Sequence, residues 1–171
     1  VTLKARDTDD AEIAFQMPIY PMIDHRMSTP SAQTMHSTPI WDARCNAFGW
    51  HHYLKGLWEE PVPVYASPAL NTDFQNLPPT ISFVGDKEPF RDEVIAYRNA
   101  LKEAGVPIQF RVFQGAFHAF VNVARNTAIG QAAYQFHLDA YASYYDAYNQ
   151  SVVWLPYLNH SSTFNLECLR P

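Results

Sequence analysis

Two residues stand where they could do chemistry together. In the stretch TISFVGDKEPFRDEVIAYRNALKEAGVPIQFRVFQGAFHAF (80–120), Glu88 follows the apolar run ending at Val84 by four residues, and His118 follows the one ending at Phe113 by five. A carboxylate that accepts a hydrogen bond from an imidazole N–H fixes the ring's tautomer and stabilises the imidazolium formed when the other nitrogen takes a proton. Such a pair activates a nucleophile. Competing readings accompany it. Asp86 and Asp92 flank Glu88, although Asp92 with Arg91 and Glu93 suits a structural or capping interaction at a helix start. A lone histidine is more often a satisfied core or surface residue. His25 reads as a loop residue. His51 and His52 have no acid or cysteine at ligand spacing, so no metal site is expected.

The flanking segments say how these two groups are positioned. Thr80–Val84 is short, β-rich and bounded by prolines and Gly85, the mark of a strand buried on both faces. Pro89 suits a helix start. Phe90, Val94, Tyr97, Leu101 and Ala104 then recur by three or four, giving one apolar face, and Gly105 with Pro107 ends it. Ile108–Phe113 alternates, with Ile108, Phe110 and Val112 expected inward. Strand, helix, strand at this spacing predicts two parallel neighbours. In an open parallel sheet reactive groups gather just past the strands' carboxyl ends, which brings Glu88 and His118 to one edge.

Elsewhere, residues 1–7 read as the tail of a helix and 13–20 (IAFQMPIY) as a buried strand. Pro18 opposes regular pairing there, so the regular part is expected to end near it. Residues 21–39 are loop-like. Residues 42–57 carry helical spacing, weakened by Gly49 and capped by Gly56. Residues 59–79 form a long connection with five prolines. The longest helix is expected over 127–148, capped by Asn126 or Thr127, with Ile129, Tyr134, Leu138, Tyr141, Tyr145 and Tyr148 on a stripe facing the core or another subunit. Residues 1–149 read as the folded portion and 150–171 as an irregular tail. Trp41, Phe48, Trp50 and Tyr53 either wall a substrate pocket or only pack a lid.

Bulk composition excludes several function classes. The 171 residues are 47% hydrophobic and 17% charged, a globular balance. A net charge of -5 argues against nucleic acid, whose phosphates need a basic face. No apolar run is long enough to span a membrane. Cys45 and Cys168 form no zinc or redox motif, and with no leader visible the default compartment is a reducing cytoplasm.

The order of motifs carries a family resemblance. VGDKEPFRDE, then LKEAGVP, then FQGAFHAF, preceded by FQMPIYPMID, WDARCNAFGWHHYLKG, YASPAL and LPPT, resembles the hormone-sensitive-lipase-like branch of the α/β-hydrolases over residues 1 to about 148. The resemblance implies an α/β fold, here a mostly parallel sheet with about three strands present and flanking helices. It implies a carboxylic ester hydrolase acting on a small-molecule ester, with Glu88 as triad acid and His118 as general base, and with no metal or organic cofactor. The family's last strand and helix often build a dimer, which extends the expectation of a homodimer to this chain. Two positions depart from the family pattern. Glu88 replaces the commoner Asp, and Ala119 stands where Gly is frequent, which is tolerated if φ there is negative.

The family's nucleophile is a serine in G-x-S-x-G on a strand-to-helix elbow. The six glycines lie at 49, 56, 85, 105, 115 and 130, no two of them four apart, so the motif is absent, and so is the adjacent-glycine oxyanion motif. The chain therefore reads as the C-terminal portion of such an enzyme, expected to be inactive alone. The alternative reading is a truncated, noncatalytic remnant or interaction module.

Overall fold

The computed structural model describes residues 1–57 and 61–158, the last eight as backbone only. In chain order these form helix α1 (Thr2–Thr8), short helix α2 (Pro30–Thr34), helix α3 (Ala43–Tyr53), a 3-10 turn (Pro68–Leu70), strand β1 (Thr80–Gly85), helix α4 (Arg91–Glu103), strand β2 (Ile108–Phe113), short helix α5 (Phe120–Val123) and long helix α6 (Ala128–Leu158). The architecture is a small parallel sheet flanked by helices.

β1 and β2 pair in parallel, Thr80 opposite Ile108 through Gly85 opposite Phe113, so both strands end at the same edge. Every residue of β1 is buried. Its alternate side chains serve two cores. Phe83 packs with Phe113, Ala116, Phe120, Val121 and Ala133 on the α6 side. Val84 packs with Phe90 and Val94 of the α4 side. A third cluster joins Leu3 of α1 and Ile23 to Tyr97 and Leu101 of α4. The expected apolar face of α4 is thus the surface that covers the sheet. The helix closes as the sequence predicts: Gly105 takes φ 77°, and the Val106 N–H reaches back to the Leu101 carbonyl at 2.9 Å.

Residues 13–20 lie along the other side of β1 but do not form a regular strand. They make a single parallel bridge, Gln16 with Thr80. The Ile81 N–H donates to the Gln16 carbonyl at 2.9 Å, and the Tyr20 N–H to Phe83 at 2.9 Å. Between these, Pro18 has no N–H to give, and its carbonyl accepts instead from the Ser82 hydroxyl at 2.7 Å. The third expected strand is therefore replaced by an irregular edge segment, and the sheet proper has two strands among the described residues.

Other expectations are adjusted. The loop 21–39 contains α2, capped by the Thr29 side chain, and α3 ends at Tyr53, before Gly56. α6 begins where Thr127 caps it, its hydroxyl accepting from the Gly130 N–H at 3.2 Å. Its backbone continues to Leu158, so the first part of the expected irregular tail is helical, while residues 159–171 lie outside the described residues. The tyrosine stripe does not face the core. Ala133 and Ala140 are buried, whereas Tyr134, Leu138, Tyr141 and Tyr145 are exposed. The small residues let the helix approach the sheet closely, which leaves the large ones outside.

Candidate active site

Glu88 and His118 meet beyond the paired strand ends. The His118 Nδ1 to Glu88 Oε2 distance is 2.7 Å, and the other carboxylate oxygen accepts from the Gly85 N–H at 2.7 Å. An ionised carboxylate can only accept, so the geometry requires the proton on Nδ1 and leaves Nε2 as the basic nitrogen. Glu88 is fully buried, while the His118 side chain keeps 17% of its surface exposed. Burial pushes the Glu88 carboxyl above its ordinary value, and the bonds from His118 and Gly85 pull it back.

Local sequence explains how each residue is held. Glu88 sits in the tight turn between β1 and α4, followed by Pro89 and by Phe90, both buried. Gly85 must be glycine, because a Cβ there would lie 2.2 Å from the Ala116 carbonyl oxygen. The loop carrying His118 thus lies directly on the end of β1. His118 is followed by Ala119 at φ 61°, ψ 18°, the left-handed entry to α5. The condition of negative φ is not met, so this chain accommodates alanine where the backbone favours glycine.

Aromatic rings surround the imidazole. Tyr20 stands edge-on at 4.7 Å between centroids, Phe90 edge-on at 5.2 Å, and Trp41 tilted at 5.9 Å. Tyr20 itself takes φ 36°, a strained value for an aromatic residue at the site. Of the four aromatic pocket candidates, only Trp41 is brought to His118. Gly49 of α3 makes room for it, since a Cβ there would lie 3.2 Å from the Trp41 ring. Trp50 is fully buried, packed on His25 and Tyr53. Phe48 is 66% exposed, its ring tilted against His52, and Tyr53 is also exposed. The helical face of α3 decides this, because residues 46 and 50 point inward and 48 and 52 outward.

The rival acids are engaged elsewhere. Asp92 accepts from the Ser31 N–H at 2.8 Å and from Arg91 at 2.7 Å, tying α4 to α2. Asp86 accepts from the Gly115 N–H at 2.6 Å. His25 Nδ1 lies 2.9 Å from the Ser67 hydroxyl, within the loop packing.

Three residues of the neighbourhood escape sequence reasoning. Tyr20 and Phe90 had a usable signal, since each lies at the end or just past the end of a segment reaching the carboxyl edge. Glu93 is the third. It is buried, its Oε1 accepts from the Ile23 and Asp24 N–H groups at 2.8 and 3.3 Å, and its Oε2 has no hydrogen-bond partner. Burial chiefly, with Asp24 and Glu88 adding like charge, raises its carboxyl to about 8. Its spacing of four from Tyr97, and of eight from Leu101, is the signal that puts it on the buried face.

The chain is similar to proteins already known. Residues 1–122 match the model of a family described by its alpha/beta hydrolase fold. Esterase LipI of Mycobacterium tuberculosis is 31% identical over 126 residues, covering 72% of this chain and 39% of LipI. An ethyl acetate hydrolase of Pseudomonas putida is 28% identical over 108 residues, covering 63% of this chain and 34% of that protein. The crystal structure of esterase LipW from Mycobacterium marinum superposes with a TM-score of 0.78 at 28% identity, covering 84% of this chain and 45% of LipW. The chain thus spans less than half the length of these relatives.

Proposed function

Because the chain belongs to the α/β-hydrolases, in their hormone-sensitive-lipase-like esterase branch, we propose that it supplies the acid and base of a serine carboxylic ester hydrolase. The carrying observation is the 2.7 Å contact between His118 Nδ1 and Glu88 Oε2 at the carboxyl end of a parallel strand pair. In the proposed reaction a serine hydroxyl attacks the ester carbonyl while His118 Nε2 takes its proton. His118 then gives that proton to the departing alcohol, forming an acyl-enzyme. Water, deprotonated by the same nitrogen, hydrolyses the acyl-enzyme and restores the serine. Glu88 holds the tautomer and offsets the imidazolium charge in each half-reaction.

The substrate class proposed is a small to medium acyl or aryl ester. The aromatic collar of Tyr20, Trp41 and Phe90 around His118 supports an apolar partner, and a relative is named as an ethyl acetate hydrolase. Because G-x-S-x-G occurs nowhere in the sequence, the nucleophile belongs to other polypeptide, and the 171-residue chain alone is expected to be inactive. The exposed row Tyr134, Leu138, Tyr141 and Tyr145 supports a homodimer through β2 and α6 as part of the same proposal.

The test is hydrolysis of p-nitrophenyl acetate by the 171-residue chain and by the same chain joined to the polypeptide encoded immediately upstream of Val1. Activity only in the joined protein, abolished by His118→Ala, is the expected result. Labelling of the 171-residue chain alone by a fluorophosphonate serine probe would overturn the assignment of the nucleophile to other polypeptide. A joined protein that carries G-x-S-x-G yet cleaves no ester would overturn the reaction class.

A further inference from the structure

The turn after β1 and the turn after β2 are stitched together by one side chain that the acid–base pair does not use. β1 and β2 stop pairing at Gly85 and Phe113, but three contacts continue the junction beyond the sheet. The Asp86 N–H donates to the Phe113 carbonyl at 3.0 Å, and the Lys87 N–H donates to the Ala116 carbonyl at 2.9 Å. The Asp86 carboxylate then crosses the gap, Oδ1 accepting from the Gly115 N–H at 2.6 Å. The crossing point is two residues before Glu88 and three before His118. The donor belongs to Gly115, whose φ is 80° and where an added Cβ would meet no neighbour, so conformation and not space selects glycine there.

We propose that Asp86 is a positioning residue, clamping the Glu88-bearing turn to the His118-bearing turn so that the 2.7 Å contact between them is kept. The proposal rests on the reading of Glu88 and His118 as acid and base. The two catalytic groups are carried by separate turns, and a shift of either changes the contact directly. Gly85 lets the two turns lie this close, because a Cβ there would meet the Ala116 carbonyl, but it does nothing to hold them together. The two backbone bonds and the Asp86 carboxylate resist their separation. Of these, only the carboxylate bond is set by a side chain. The other Asp86 oxygen faces solvent-exposed Lys87 at 3.2 Å and the Asp86 carbonyl accepts from Arg91 at 3.3 Å, so the acid is held in place from its own turn.

The role separates from a purely structural one by its acceptor requirement. Asparagine keeps an oxygen where Oδ1 stands and gives up the charge and the contact with exposed Lys87, while alanine loses the clamp. In the 171-residue chain, the His118 Nδ1 proton is followed as a low-field proton resonance, assigned by its loss in Glu88→Gln. The expected result is that Asp86→Ala moves the resonance or loses it to solvent exchange, and Asp86→Asn retains it. In the joined protein, Asp86→Ala is expected to lower kcat by up to about 10²-fold with KM unchanged, since positioning errors act on the transition state. Asp86→Asn should stay within a few-fold of the parent. An unchanged resonance in Asp86→Ala, with His118→Ala still inactive, overturns the clamp and leaves the acid–base reading standing. Absence of the resonance in the parent chain overturns the acid–base reading, and the clamp falls with it. If Asp86→Ala fails to fold, Asp86→Leu, which has no acceptor at similar size, is read in its place: loss or movement of the resonance supports the clamp and an unchanged resonance overturns it.

Discussion

Replacement of Glu93 by glutamine should remove a loss of stability with rising pH, so that parent and variant exchange order within a defined window. The carboxyl is buried among Ile23, Asp24 and the face of α4, and its proton is held up to about 8, against 4.5 for the ordinary group. A folded-state value raised above the unfolded one means that the folded chain binds the proton more tightly. Stability is then full below the unfolded value and is lost as pH rises through the folded value. At 1.36 kcal/mol for each tenfold step in proton affinity, the loss is about 5 kcal/mol in all, of which roughly 4 kcal/mol falls between pH 5 and pH 9. The glutamine of Glu93→Gln keeps an oxygen for the Ile23 and Asp24 N–H groups but places amide hydrogens where Oε2 has no partner, costing about 1–3 kcal/mol at every pH. The two effects predict crossing curves: the parent is more stable at pH 5, and Glu93→Gln is more stable at pH 9. Urea unfolding followed by circular dichroism at intervals across that range reads the difference. Parallel curves, or a parent that gains on the variant as pH rises, would refute the buried-acid account, because the second pattern belongs to a carboxylate held by a cation.

Ala119→Gly should raise stability by roughly 0.5–1 kcal/mol, because relief of the left-handed backbone, about 1–2 kcal/mol, outweighs the added freedom of the unfolded chain; a shift of the urea midpoint at constant slope checks it. Gly85→Ala should lower stability by more than about 2 kcal/mol and displace the His118 turn, since the new methyl would meet backbone that cannot rotate away; thermal melting together with the His118 proton resonance reads both effects. Trp50→Ala should cost roughly 3–5 kcal/mol as a core truncation. Phe48→Ala should stay within about 0.5 kcal/mol of the parent, as a surface change. Equal effects of these last two in the same melt would contradict the assigned faces of α3.

The strand–helix–strand unit and the site at its edge were legible in the sequence because each element carries its own period. Thr80–Val84 and Ile108–Phe113 are short apolar runs between breakers, and α4 has an unbroken face ending in Gly105. The segment 13–20 carries the same alternation, yet Pro18 removes the donor on which a ladder depends, and composition alone does not say how far the damage spreads. α2 and α5 are too short to show any period. The α6 stripe looks the same in sequence whether it meets the core or another subunit, and the structure removes the first option because close helix–sheet approach selects Ala133 and Ala140. In α3 and the turn before it, Trp41, Phe48, Trp50 and Tyr53 look alike as residue types. Separating the one beside His118 from the buried and exposed ones requires the rotation of the helix about its axis, which depends on what it packs against. The sign of φ at Ala119 likewise follows from how the His118 turn enters α5, not from any neighbour in sequence.

The central claim is that Glu88, and neither of the nearby aspartates, is the acid that serves His118. The most direct measurement is kcat for p-nitrophenyl acetate in the joined protein bearing Glu88→Gln or Asp92→Asn. Glu88→Gln should lower kcat by up to about 10⁴-fold, since the amide can present its own N–H to Nδ1 and favour the wrong tautomer, while Asp92→Asn leaves it within about tenfold. Full turnover in Glu88→Gln, or a comparable collapse in Asp92→Asn, would contradict the account.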